Sequence, residues 1–175
     1  MNLNYFLKSP VVAAIAINLG SLIPVEGLIV RAFAATESSD FDTQMQVALA
    51  TYLTIQESLA SDNLEAAIAA AKKLSGTTAS LTTPPTLKGV KELDGFAGSS
   101  GKIATDLAAA KNINSAREKF KELSKPFVAW VKIAKPKNVA VMFCPMADSH
   151  WAQTAGAVRN PFYGKAMLDC GSVVR

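Results

Sequence analysis

The sequence predicts a mainly α-helical fold, an antiparallel bundle of about four helices followed by a small irregular or β-stranded C-terminal segment. Apolar residues recur at intervals of three and four along four stretches, which is the spacing of one helix face. Short to moderate loops separate the stretches, as in antiparallel bundles. The periodicity stops near residue 138. Half of the 175 residues are hydrophobic and 18% are charged, which suits one domain with a packed core.

The first helix of the bundle is predicted from about residue 40. Ser39 or Asp40 can cap it, because a short side-chain oxygen accepts from the free N–H groups of the first turn. We expect Tyr52 to be a core residue with its hydroxyl at the rim. The apolar stripe of this helix contains Phe41, Met45, Ala48, Tyr52, Ile55 and Leu59.

The second helix is predicted to begin at Asp62, with Glu65 three residues later completing a capping box, and to end at Gly76. Its apolar stripe contains Leu64, Ile68, Ala71 and Leu74. The pattern between residues 87 and 111 is helical but interrupted by glycine and serine, which weaken a helix. It predicts either one long helix with a weak middle or two short helices.

The strongest periodic signal follows, with Asn112 or Ser115 as its start. Its stripe contains Ile113, Ala116, Phe120, Leu123, Phe127, Trp130 and Ala134. Pro126 removes one intrahelical hydrogen bond, so we expect the helix to be kinked or divided there. The short apolar run at residues 138–143 predicts a strand, and a second short strand around residues 167–170 is expected to pair with it.

The N-terminal residues 1–34 are typical of a signal peptide. Lys8 provides a positive charge, residues 11–19 are almost entirely apolar, and Ala-Phe-Ala at 32–34 fits a signal-peptidase site. The alternative is a retained membrane anchor, but polar and helix-breaking residues interrupt the span that an anchor would need; these are Gly20, Ser21, Pro24, Glu26 and Arg31. We therefore predict a mature domain at 35–175, soluble and periplasmic or secreted, with no membrane span.

Charge and side-chain inventory argue against two classes of function. The net charge of +4 is mild, and the lysines are scattered without interleaved aromatic residues, so a nucleic-acid partner is not expected. The four helical stretches contain neither histidine nor cysteine. Because a recognisable set of acid, base and nucleophile is missing, we expect no enzyme.

Residues 138–175 hold the side chains with distinctive chemistry. Both cysteines of the chain, Cys144 and Cys170, lie here, together with Met146, Met167 and the only histidine, His150. Thiolate and thioether sulfur are soft donors that favour Cu(I) and similar ions, and imidazole binds such metals too. A turn at Asn-Pro and Gly within residues 160–164 can fold Met167 and Cys170 back against Cys144. The segment is a candidate soft-metal site.

A disulfide is the alternative for the same two cysteines. Two cysteines in an exported protein usually pair, and a Cys144–Cys170 bridge would stabilise the fold by roughly 3–4 kcal/mol in the chain-entropy model. A methionine near a core more often packs than binds metal. Trp151, Phe162 and Tyr163 then form a small aromatic core beneath the loops.

The C-terminal third resembles a bacterial family of exported domains of unknown function linked to heavy-metal efflux. The matching motifs are Cys-Pro-Met-Ala at 144–147, Trp151, Gln153, Asn-Pro-Phe-Tyr-Gly at 160–164 and Met-Leu-x-Cys-Gly at 167–171. The helical part is similar more loosely, through Tyr52-Leu53, Leu59-Ala60, Ala116-Arg117, Phe120 and Leu123-Ser124. Members of that family stand alone or are fused to the membrane-fusion adaptor subunits of copper/silver efflux systems.

The resemblance implies a helical bundle with a metal-binding end whose ligands are Cys144, Met146, Met167 and Cys170. His150 is added on its chemistry alone. The expected function is an exported protein that binds a soft metal, copper as Cu(I), for sequestration or for transfer to an efflux adaptor or metallochaperone. The alternative is a disulfide-stabilised helical module that binds a protein partner without metal.

Overall fold

The computed structural model describes residues 26–81, 91–93 and 95–174, with side chains from residue 40 onward except that of residue 92. Most of the predicted signal peptide, residues 1–25, lies outside the described residues. Four α-helices confirm the predicted bundle: α1 (Glu26–Ala60), α2 (Leu64–Ala79), α3 (Phe96–Ala108) and α4 (Ile113–Ala134). A 3-10 helix at Lys91–Leu93 precedes α3. Helix α2 packs against both α1 and α3, and α4 packs against α3.

The helix ends differ from the sequence prediction in three places. Helix α1 runs without interruption through residues 39 and 40, so neither residue caps it. Asn63, not Asp62, caps α2, because its side chain accepts a hydrogen bond from the N–H of Ala66 at 3.0 Å. Asp62 has a positive φ of 60°, which turns its backbone out of the helix. Gly76 does not end α2, which continues to Ala79.

Within residues 87–111, the structure has a short 3-10 helix followed by α3. This is closer to the predicted pair of short helices than to one long helix. Gly95, with φ of 66°, precedes α3 in the left-handed conformation that glycine adopts without strain. Helix α4 begins with the capping box of Asn112 and Ser115. Of the two outcomes expected at Pro126, a kink or a division, the division is wrong: the helix is continuous, and the buried residues around Pro126 hold it against the core despite the missing hydrogen bond.

Most residues of the predicted stripes lie in the core, and the whole stripe of α1 is buried. Leu64, Ile68 and Ile113 are only partly buried, and Ala134 is exposed. Tyr52 stacks on Phe127 and Phe120, with ring centroids 4.5 and 5.0 Å apart. Its hydroxyl is not at the rim as expected. It is fully buried, lies 2.9 Å from the Ser124 hydroxyl and accepts from the N–H of Ala152 at 3.2 Å. Burial raises the pKa of Tyr52, so the phenol stays neutral.

The C-terminal segment is a three-stranded antiparallel sheet with strand order β2-β1-β3. The predicted first strand is confirmed as β1 (Val139–Cys144). The strand expected at 167–170 is wrong: β3 lies later, at Ser172–Val173, and pairs with residues 142 and 143. Strand β2 (Ser149–Thr154), the longer partner of β1, was not predicted from the sequence. Helix α4 packs against β2, so the sheet lies on the bundle.

A single aromatic cluster joins bundle and sheet. Trp151 of β2 is fully buried and meets Phe162 edge-on, with centroids 5.6 Å apart. Phe162 in turn lies 6.2 Å from Phe120 of α4. The predicted aromatic core of the segment is therefore confirmed for Trp151 and Phe162, while Tyr163 is only partly buried. Among the described residues, no helix has the length and apolarity to cross a membrane.

Candidate metal centre

The fold brings the two cysteines together. Cys144 is the last residue of β1 and is fully buried, whereas Cys170, which precedes β3, is partly exposed. Their Sγ atoms lie 3.2 Å apart, and both are free thiols. A disulfide bond is about 2.05 Å long, so the pair stands in contact without being bonded.

The turn after β1 directs backbone N–H groups at the sulfur of Cys144. Pro145 provides no N–H of its own, and its carbonyl accepts from the N–H of Asp148 at 3.3 Å. The N–H groups of Met146 and Ala147 donate to the Cys144 sulfur, and that of Met146 also to the Cys170 sulfur. The amide of Met146 therefore acts on both sulfurs and stabilises negative charge on either.

The pKa values of the two thiols shift in opposite directions. Burial raises the pKa of Cys144, but hydrogen bonds from the Cys170 thiol, the Ala147 and Met146 amides and the Asn160 side chain together lower it below the usual range. The hydrogen bond to Cys144 and burial raise the pKa of Cys170. Cys144 therefore loses its proton first, and the pair can carry one thiolate and one thiol that donates to it.

Asn160 holds the Cys170 segment in place. The residue is fully buried, and its Nδ2 donates to the carbonyl of Cys170 at 2.6 Å as well as to the Cys144 sulfur. Its Oδ1 accepts from the N–H of Phe162 at 2.8 Å, and its own N–H donates to the carbonyl of Leu168 at 2.8 Å. The sequence predicted a turn here, but the contact of Asn160 with both cysteines was missed.

Gly171 allows the chain to cross Trp151 directly after Cys170. Its φ of 147° is one that side chains rarely adopt, and an added Cβ would lie 2.7 Å from the Trp151 ring and 3.1 Å from the Phe143 carbonyl. Only glycine fits at this crossing. The close approach places Cys170 beside the end of β1, where Cys144 lies.

Met146 and Met167 lie in the backbone segments next to the two thiols, and their backbone carbonyls accept hydrogen bonds there. Met146 lies in the turn next to Cys144 and its side chain is 63% exposed, while its carbonyl accepts from the Tyr163 hydroxyl at 3.1 Å. Met167 is partly buried, and its carbonyl accepts from the N–H of Cys170 at 3.1 Å. Both thioethers thus belong to short segments that adjoin the sulfur pair.

His150 lies on the other face of the sheet. It pairs with Phe143 in the strand register, and the two rings are 4.7 Å apart, whereas Cys144 pairs with Ser149. Because successive strand residues point to opposite faces, His150 and Cys144 are on opposite faces. Burial and the charge of Lys132 lower the pKa of His150, and the charge of Asp148 offsets part of this decrease. The structure therefore does not group His150 with the thiols.

Hydrogen bonds between bundle and segment fix the position of the thiol pair. Gln56 of α1 donates to the carbonyl of Arg159 at 2.6 Å, and Arg117 of α4 donates to that of Pro161 at 3.0 Å. Arg117 also pairs with Asp62 at 2.5 Å. Gln153 accepts from the N–H of Arg159 at 2.9 Å. These contacts anchor the loop that carries Asn160.

The site is a pair of thiols, not a cluster of hard ligands. Within the described part of the chain, no group of three or more His, Cys, Asp or Glu side chains is arranged to hold a metal ion. The donors that do come together are two sulfurs, with two thioethers in the adjoining segments. Such a set can bind a soft, low-coordinate ion or be oxidised to a disulfide.

Comparison with known proteins identifies a family for the helical part. No curated protein and no solved structure matches the chain. A family model described as "Protein of unknown function (DUF3347)" matches residues 48–139, just over half of the chain. The match extends from the middle of α1 to the first residue of β1, so it ends where the cysteine segment begins. The chain belongs to this family of proteins of unknown function.

Proposed function

We propose that this protein is an exported soft-metal carrier that binds Cu(I) between Cys144 and Cys170, for sequestration or for transfer to efflux machinery. The observation that carries the proposal is the contact of the two free thiols at 3.2 Å, with backbone N–H groups directed at the Cys144 sulfur. Thiolates are the ligands that soft ions prefer. The lowered pKa of Cys144 raises the fraction of thiolate at a given pH.

The sulfur separation is compatible with entry of an ion after a small movement. With metal–sulfur bonds of about 2.3 Å, a tetrahedral ion separates two sulfurs by about 3.8 Å and a linear ion by about 4.6 Å. The 3.2 Å distance therefore has to open by roughly 1 Å. Cys170 is the partner suited to move, because it is partly exposed and lies outside the strands.

Met146 and Met167 are the candidates for further ligands. The 63% exposed side chain of Met146 is free to turn toward an ion at the thiol pair, since its own amide already faces both sulfurs. Met167 lies three residues before Cys170 in the same short segment. We leave His150 outside this ligand set, because its side chain lies on the opposite face of the sheet from Cys144.

The test is a Cu(I) competition titration of the purified protein, run reduced and as isolated, with free thiols counted in parallel. Cys144→Ser and Cys170→Ser are each expected to abolish tight binding while the helical circular dichroism is kept. Met146→Leu and Met167→Leu are expected to weaken binding, whereas Met45→Leu, in the core of α1, serves as the control. Affinity should fall as pH drops, because protons compete for the thiolates.

Unchanged Cu(I) affinity in Cys144→Ser would overturn this site. Equal losses of Cu(I) affinity in Met45→Leu and Met146→Leu would remove the Met146 thioether from the ligand set. A core substitution far from the site would then weaken binding as much as loss of the proposed ligand. His150→Ala is expected to leave the affinity unchanged, and a large loss there would require a different ligand set.

A second candidate function is a disulfide-stabilised helical module that binds a protein partner. The same 3.2 Å contact favours it, because a shift of about 1 Å brings the sulfurs to bonding distance. It predicts no free thiol in protein taken from its native compartment. It also predicts a loss of roughly 3–4 kcal/mol in the free energy of unfolding on reduction, as expected for the loop closed by Cys144 and Cys170.

A further inference from the structure

We propose that a groove between α4 and the start of β2 is a docking surface for an acidic segment of a partner protein. The groove has a volume of about 460 Å³. Three lysines of α4, Lys121, Lys125 and Lys132, line one wall. Asp148, Ser149 and His150 line the other.

The lysines place unneutralised positive charge along the groove. Positions 121, 125 and 132 lie on one face of α4, because they are spaced four and seven residues apart, which is close to one and two helical turns. None of the three forms an ion pair with a residue whose side chain the structure describes. The nearby Glu122 instead pairs with Lys119 at 3.1 Å. Three of the lysines that are scattered in the sequence therefore lie on one surface.

The groove has an apolar floor between its charges. Val128 is 6% exposed, and Ile133, at 47%, is one of four large hydrophobic residues that are exposed among the described residues. Asp148 is the one acidic residue lining the groove, against three lysines. A concave surface with an apolar floor and a basic rim fits a peptide segment that carries carboxylates and an apolar anchor better than it fits a flat membrane.

The groove adjoins the thiol pair without including it. The turn that begins after Cys144 ends at Asp148, which lines the groove. A docked segment would therefore lie at the turn that follows Cys144, next to His150, whose side chain is on the face of the sheet opposite Cys144. Any use of docking in metal transfer rests on the proposed function. The docking itself involves neither cysteine, so it can be tested on metal-free protein and on Cys144→Ser.

The experiment measures fluorescence anisotropy of a labelled peptide of about a dozen residues, with glutamates and leucines at helical spacing. Its matched control peptide has glutamine at each glutamate. Both are titrated with metal-free protein at low and at physiological salt, where the screening length is about 8 Å. The test variant replaces Lys121, Lys125 and Lys132 with Glu. The control variant makes the same charge change at the exposed Lys72, Lys73 and Lys111.

We expect the glutamate peptide to bind the wild-type protein and the control variant alike, and the test variant roughly tenfold more weakly or not at all. Ile133→Ser should weaken binding without changing its salt dependence. Absence of binding, equal loss in both triple variants, or equal binding of the glutamine peptide would overturn the proposal. Binding to phosphatidylglycerol vesicles but not to the glutamate peptide would also overturn it, in favour of a membrane surface.

The experiments distinguish failure of the docking proposal from failure of the proposed metal site. A protein that loses peptide binding in the lysine variant but keeps Cu(I) affinity has a docking surface separate from the metal site. A Cys144→Ser protein that keeps peptide binding shows that docking does not depend on the thiols. If Cys144→Ser loses peptide binding while the helical circular dichroism is unchanged, the groove is not an independent surface and the proposal fails.

Discussion

The helical bundle and the C-terminal segment are held in place by different kinds of contact. In the bundle, apolar stripes repeat along each helix and many side chains share the burial. In the segment, single contacts decide the geometry: Asn160 holds the Cys170 carbonyl, and Gly171 crosses Trp151 where no side chain fits. The family match covers most of the bundle, from residue 48 within α1, and stops at the first residue of β1.

This difference separates stability from chemistry in the molecule. Distributed apolar burial tolerates substitutions that keep side-chain volume and apolar character, although truncating a large core side chain is costly. A site that depends on a few directed hydrogen bonds and one glycine is more sensitive, because moving one sulfur by 1 Å changes what the pair can bind. We therefore expect substitutions in the bundle to lower global stability, and substitutions in the segment to disturb the thiol pair first.

The largest effect should come from Phe127→Ala. Phe127 is fully buried, stacks on Tyr52 and meets Phe96 edge-on at 5.2 Å. Its truncation should lower the free energy of unfolding by about 3–5 kcal/mol, measured by urea denaturation. The half-exposed Val47→Ala is the control, expected to stay within about 0.5 kcal/mol. A similar loss at both positions would mean that burial in the bundle does not set its stability.

Gly171→Ala should break the segment without unfolding the bundle. The added methyl meets the Trp151 ring and the backbone strain adds to the clash, so we expect a loss of about 2–3 kcal/mol. The loss should appear as altered tryptophan fluorescence and reduced Cu(I) affinity with helical circular dichroism kept. Gly98→Ala in α3, with nothing near its Cβ, should instead be neutral or stabilise by up to about 1 kcal/mol. The same loss at both positions would contradict the crossing argument.

Asn160→Ala should have a somewhat smaller effect on stability. It leaves the carbonyl of Cys170 and the N–H of Phe162 without their partner, which costs about 1–3 kcal/mol. It also removes one donor to the Cys144 sulfur, so the pKa of that thiol should rise. Alkylation rate measured against pH reports that pKa. An unchanged pKa would mean that Asn160 acts on the backbone alone.

Asp62→Asn should give the smallest effect. Burial raises the pKa of Asp62, but the hydrogen bonds from Arg117 and the Lys165 N–H lower it overall from the usual 3.8. The pKa of Asp62 is lower in the folded protein than in the unfolded chain, so the ionised carboxylate stabilises the fold at pH values above the unfolded-state pKa. Wild type should therefore be more stable than Asp62→Asn near pH 7. The difference, under about 1 kcal/mol for this half-exposed pair, should fade as pH falls below 3.8. The control is Asp42→Asn, on the exposed side of α1, which should leave the free energy of unfolding at pH 7 unchanged to within about 0.5 kcal/mol.

The sequence predicted the bundle well because helix periodicity is a local property. The predicted stripe residues from Phe41 to Leu59 are all buried, and Asn112, one of the two predicted starts, caps α4. Two errors came from competing local signals. Asp62 looked like a cap, yet its carboxylate is used by Arg117, which is distant in sequence. Strand β2 was missed because polar residues interrupt its apolar pattern.

The sequence by itself determined the helical stripes, the core aromatic residues and the concentration of sulfur after residue 138, since these depend on residue identity and spacing alone. Only the tertiary structure decided that Cys144 and Cys170 touch, that His150 faces away from them and that three lysines share a groove. Those facts depend on strand register and on contacts between residues far apart in the chain. A shift of one residue in register would reverse the faces of β2.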